Sequence, residues 1–120
     1  MAQKIPPELE NELRKNDNLR HQEEGYSNMV RAYKEQVEQL KETLDQLRKQ
    51  PDDVVTYKTV GQVMFKVEKP SMIEELEDKV RELDSSIKKA EAKLKTLTPE
   101  LAELQKSIQL EIAKRNLTLQ

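Results

Sequence analysis

Six pairs of apolar residues in this chain are arranged as mirror images about one point. Leu47 answers Ile73, Leu44 answers Leu76, Leu40 answers Val80, Val37 answers Leu83, Tyr33 answers Ile87 and Val30 answers Ala90, so that each pair of numbers adds to 120. Along either stripe the residues recur at the three- and four-residue spacing that lines one side of a helix. A chain with this symmetry is satisfied by two helical arms doubled back side by side, with the reversal in the middle. That middle, residues 54–67 (VVTYKTVGQVMFKV), is also the only stretch with the alternating β-branched and aromatic character of strands. The expected fold is therefore mainly α: a long antiparallel two-helix coiled coil whose arms are joined by one β-hairpin.

The composition supports a thin seam and argues against a thick core. Charged residues make up 37% of the 120-residue chain and aromatic residues 3%, and Trp is absent. Glu, Lys, Leu and Gln at heptad spacing are the usual ingredients of a long coiled coil. The length suits a single domain, here residues 1–120. The formal net charge of −2 is spread as mixed signs along both arms, unlike the basic face of a nucleic-acid-binding protein. Without Cys there is no disulfide frame and no thiolate metal site. No run approaches the roughly 20 apolar residues that span a membrane. The opening MAQKIPPELENEL lacks the apolar stretch of a secretory leader, and the expected compartment is the cytoplasm.

The first arm is expected over residues 7–49. Pro7 is tolerated in the first turn, and Glu8 and Glu10 sit near the positive end of the helix dipole. Pro51 ends the arm, because a residue preceding proline disfavours helical geometry. One core position of the heptad holds Leu9, Asn16, Glu23, Val30, Val37 and Leu44; the other holds Glu12, Leu19, Tyr26, Tyr33, Leu40 and Leu47. From Tyr26 onward the stripe is wholly apolar or aromatic; before it, apolar and polar residues alternate. Gly25 lies off the seam and loosens the arm.

The second arm is expected over residues 71–115, started by a capping box of Ser71 with Glu74. Its core positions run Ile73, Leu76, Val80, Leu83, Ile87, Ala90, Leu94, Leu97, Leu101, Leu104 and Ile108, with no polar member. Pro99 falls outside this stripe. It either bends the helix or, with Thr98 as cap, restarts it; a bend is the expectation. The tail from Asn116 to Gln120 is expected to fray.

Carried outward, the mirror rule sets Glu23 against Leu97, Asn16 against Leu104 and Glu12 against Ile108. The far half of the second arm stays apolar while its partner turns polar, so these residues are expected to lack full cover. Ile5, Leu9 and Leu13 on one arm, and Leu110, Ile112, Leu117 and Leu119 on the other, extend the same strip. An apolar strip at the free ends is a candidate surface for binding other polypeptides. The alternative is that the polar core residues merely fix register.

The hairpin raises the complementary problem. A lone two-stranded hairpin is marginal in water and presents two unpaired edges. Gly61 is the expected turn. The expected faces are Val55, Tyr57, Val63, Phe65 and Val67 on one side, and Val54, Val60 and Met64 on the other. Nothing else in the chain is available to cover them. Several chains pooling hairpins into a closed sheet of about eight strands would, which makes this stretch a candidate assembly element.

The stretch PDDVVTYKTVGQVMFKVEK, followed by IEELEDKVREL, resembles the hairpin and second-helix start of the prefoldin family, in particular its β-class subunits of archaeal or eukaryotic type. The likeness extends over nearly the whole chain, from the IPPEL start onward. Prefoldin α-class subunits carry two hairpins, and this linker has room for one. The resemblance implies an ATP-independent chaperone, a hexamer of two α-class and four β-class subunits or a related heterohexamer. Its pooled hairpins form intersubunit β-barrels, and its arm tips hold non-native proteins for transfer to a group II chaperonin. The chain departs from the pattern in its polar stretch from Asn16 to Glu24 and in Pro99. A structural coiled-coil scaffold, or a filament-forming prefoldin relative with one dedicated partner, is the alternative.

No catalytic, cofactor or metal site is expected. His21 stands alone beside Glu23 and Glu24, the setting of a solvated surface residue, whereas zinc sites need several His or Cys ligands. The carboxylates are spaced as helix-surface partners of Lys, and there is no Gly-rich phosphate loop. An enzyme is therefore not expected, nor are nucleic-acid or membrane partners.

Overall fold

The computed structural model describes residues 5–115, and the expectations for the fraying tail, Leu117 and Leu119 lie outside those residues. The element order is α1 (Pro7–Arg48), β1 (Thr56–Val60), β2 (Val63–Val67) and α2 (Lys69–Arg115). Helix α1 opens as its sequence demands. The Glu10 amide donates to the Pro6 carbonyl at 3.0 Å, so Pro7 takes the first helical position, where its missing N–H goes unnoticed. The helix closes through a Gln50 amide bond to the Leu47 carbonyl at 3.1 Å, and a further turn bonds the Val54 amide to the Pro51 carbonyl at 3.0 Å.

Helix α2 starts two residues before the position expected from the Ser71–Glu74 capping box. The Met72 amide donates to the Glu68 carbonyl at 3.0 Å, which makes Glu68 the cap and Lys69 the first helical residue. Pro70 then lies inside the first turn instead of in front of it, at another site with no N–H to lose. Farther on, α2 runs through Pro99 without ending. Thr98 does not cap a restarted helix; its hydroxyl donates instead to Glu23 Oε2 at 3.0 Å.

The hairpin is antiparallel, with Val60 opposite Val63, Thr59 opposite Met64, Lys58 opposite Phe65, Tyr57 opposite Lys66 and Thr56 opposite Val67. Gly61 takes φ of +60°, the left-handed value that a tight two-residue turn requires. This register corrects the expected faces. A two-residue turn pairs odd-numbered residues of one strand with even-numbered residues of the other. Val60, Val63, Phe65 and Val67 therefore share one side with Thr56 and Lys58, while Tyr57 joins Met64, Thr59 and Lys66 on the other. Tyr57 had been expected beside Phe65, and Val60 beside Met64; a one-residue shift in register moves a side chain to the opposite face.

The chain forms two compact units. The first, residues 30–89, has a seam in which Val37, Leu83 and Ile87 are buried and Val30, Tyr33, Leu40 and Val80 pack against them. Leu44 is buried as well. The second brings together the described residues before Val30 and those from Ala90 onward. In it Leu19, Leu97 and Leu101 form a buried cluster with Tyr26 and Leu104 against it. Both clusters hold the heptad positions read from the periodicity.

Candidate assembly and client-binding surfaces

The hairpin is the most apolar exposed surface among the described residues. Phe65 is 52% exposed, and Val55, Tyr57, Val60, Val63 and Met64 are comparably open. Its root, by contrast, is tied down. Thr56 Oγ1 donates to the Val67 carbonyl, and Thr56 and Val67 are half-buried. Lys58 forms an ion pair with Glu75 of α2. Since Lys58 is the one charged residue on the Phe65 side, that pairing gives its ammonium a partner on α2. The remaining exposed groups on this side, Val60, Val63 and Phe65, make a continuous apolar face.

Near the root sits Lys69, the one buried charged residue among the described residues. Its ammonium donates to the Gln50 carbonyl at 2.7 Å, with the Arg48 carbonyl and Asp52 Oδ1 each at 3.4 Å. Arg48 reaches Glu77 at 3.6 Å. Periodicity gave no hint of Lys69, whose acceptors are two main-chain carbonyls and the Asp52 carboxylate. One available signal was a lysine at the start of a helix, where the dipole favours a carboxylate.

The tip residues are placed less openly than the mirror rule implied. Leu97 and Ile108, expected to lack cover, are buried, Ile108 to 6% exposure. Leu9, expected to add to the open strip, is the most deeply enclosed large side chain, at 2%. Leu13, Leu104 and Ile112 are half-buried, and among the described tip residues only Ile5 and Leu110 are exposed. The reason lies in the polar positions opposite. Glu12, Asn16 and Glu23 are themselves half-buried, and the carbon stem of a glutamate can lie along apolar surface. The end of Glu23 finds Thr98. Glu12 Oε2 and Asn16 Oδ1 do not find a donor and are nevertheless shut away from the surface.

No group of three or more metal-ligating side chains comes together among the described residues. His21 is exposed. Among the described residues no helix is long and apolar enough to cross a membrane.

Two long helices joined by one exposed hairpin define an arm-and-hairpin class of protein, and comparison with known proteins gives it a family. The family model described as "Prefoldin subunit" matches residues 10–115. Prefoldin subunit beta of Thermococcus gammatolerans is 44% identical over 61 residues, which are 51% of this chain and 52% of that protein. Its counterpart in Methanothrix thermoacetophila is 29% identical over 88 residues, 73% of each chain. The match thus spans about half the length of the Thermococcus gammatolerans relative. Among solved structures, the crystal structure of the prefoldin beta subunit from Thermococcus strain KS-1 is similar with a TM-score of 0.78. It is 29% identical, and the match covers 92% of this chain and 96% of that one. The chain belongs to the prefoldin subunit family.

Proposed function

We propose that this chain is a β-class subunit of an ATP-independent chaperone that holds unfolded polypeptides at its tips and passes them to a group II chaperonin. In this reading the hairpin joins α-class subunits and further copies of this chain into a hexamer, by pooling strands into closed β-barrels. The work is done by binding alone, needs no catalytic residue or cofactor, and takes place in the cytoplasm.

The observation that carries the client-binding part is the flaw in the tip seam. Two acceptor oxygens, of Glu12 and Asn16, lie buried without donors. Each such group costs about 1–3 kcal/mol. The closed seam is weakest where it encloses Leu9 and Ile108, so opening it there regains solvation for the polar atoms and uncovers apolar surface. Ile5, Leu13, Leu104, Leu110 and Ile112 are accessible at least in part without opening. Leu9, Leu97 and Ile108 become binding residues only when the arms part. Leu117 and Leu119 extend the proposed strip.

The depth at which Leu9 and Ile108 are enclosed favours a second reading, a closed scaffold whose polar core positions set register for one dedicated partner. Light scattering separates the two. The assembled protein is mixed with two unrelated chemically denatured clients as denaturant is diluted. Protection of both supports the chaperone; protection of neither, at any molar excess, supports the scaffold.

A further inference from the structure

We propose that Lys69 is the positioning residue that holds the hairpin ready for assembly before any partner arrives. The inference rests on the reading of the hairpin as the assembly element. Lys69 is the first residue of α2, and no acidic residue occupies that helix's first turn. By the dipole of its own helix this is a poor place for a cation, and burial to 7% exposure makes it worse. What it gains lies across the chain reversal. The carbonyls of Arg48 and Gln50, at and just beyond the negative end of α1, receive its ammonium, with Asp52 Oδ1 as a third acceptor. It therefore neutralises the end of one helix from the beginning of the other.

The consequence falls on everything between the two helices. Arg48 and Lys69 are 21 residues apart, and the segment they enclose is the hairpin with its approaches. Tying its ends fixes where the strand pair emerges. The Lys58–Glu75 ion pair ties β1 to α2 at a second point. A strand pair held at both points loses less freedom when it adds to a neighbour's sheet, which is how preorganisation raises affinity.

The test uses full-length protein in four forms: wild type, Lys69→Met, Lys69→Arg and Phe65→Asp. Each is examined alone and with a prefoldin α-class subunit, by sedimentation over a range of concentrations and by circular dichroism during heating. We expect Lys69→Met to keep wild-type helicity and helix melting while needing about tenfold higher concentration to assemble. Lys69→Arg, which restores the cation, is expected to recover most of the loss. The proposal is overturned if Lys69→Met assembles like wild type, or if its assembly fails only in step with helix melting. Should Lys69→Met not fold, Lys69→Gln is read against the same two outcomes. Phe65→Asp isolates the underlying reading. If it assembles normally, or if wild type does not assemble, the hairpin is not the assembly element and the proposal falls with it. If Phe65→Asp fails to assemble and Lys69→Met succeeds, the role of Lys69 alone is rejected.

Discussion

Val60 faces Val63 directly across the Gly61–Gln62 turn, and this pairing puts Phe65 on the same side of the sheet as Val60 and opposite to Tyr57. The Phe65 side is the more apolar of the two, and its single charge is engaged by Glu75. It is the side suited to a shared core between assembled hairpins. Phe65→Asp is expected to abolish assembly, because an unpaired charge enclosed in such a core costs several kcal/mol, of order 3–5. Tyr57→Asp, on the side carrying Lys66 and Thr59, is expected to weaken assembly much less. Equal effects in sedimentation would show that both faces are enclosed.

Gly61 supplies the backbone geometry of the same turn. At φ of +60°, a branched side chain is strained by roughly 1–2 kcal/mol, although no atom lies within 4 Å of where its Cβ would sit. Gly61→Val is expected to weaken assembly, whereas Gly61→Asn, which tolerates the left-handed region, leaves it nearly unchanged. If the two variants assemble alike, the turn is not limiting.

Gly25 differs because it is inside α1 with helical geometry. A methyl group there would meet no atom within 4 Å. Gly25→Ala is expected to stabilise the helical arms by about 1 kcal/mol in chemical denaturation. A loss of stability would mean that the glycine serves a bend or a contact in the assembled protein.

Glu12 and Asn16 give a prediction with two readouts. Replacing both with apolar residues of similar length, Glu12→Met with Asn16→Leu, removes two donorless buried acceptors. Stability is expected to rise by about 1–3 kcal/mol per site, and capture of unfolded clients to fall, because the seam no longer opens readily. A stabilised variant that captures clients as well as wild type would show that client binding does not require the seam to part.

The seam was legible in the sequence because helical periodicity is local and repeats: Val37 had to share a side of α1 with Val30 and Leu44, and Leu83 a side of α2 with Ile87, whatever else the chain did. Pro99 was harder, since a helix supported along its length can run through a proline that an isolated helix would not tolerate. The hairpin faces were not legible. They depend on whether the turn takes two residues or three, and that choice decides which of Tyr57 and Val60 shares a side with Phe65. At the tips the sequence located the polar positions at Glu12, Asn16 and Glu23 but not what they would do. Heptad logic treats a polar core residue as a gap, whereas Glu12, Asn16 and Glu23 are half-buried and Leu97 and Ile108 are buried. Lys69 was invisible to pattern because its acceptors, two main-chain carbonyls and the Asp52 carboxylate, are brought near only by the reversal.

The most direct measurement compares the assembled wild-type protein with a form lacking residues 1–12 and 108–120, for suppression of aggregation of denatured clients at matched assembly mass. The truncated form is expected to assemble with wild-type stoichiometry through its intact hairpin and to leave the clients unprotected. Equal protection by the truncated form would place client binding elsewhere and contradict a chaperone that works through its tips.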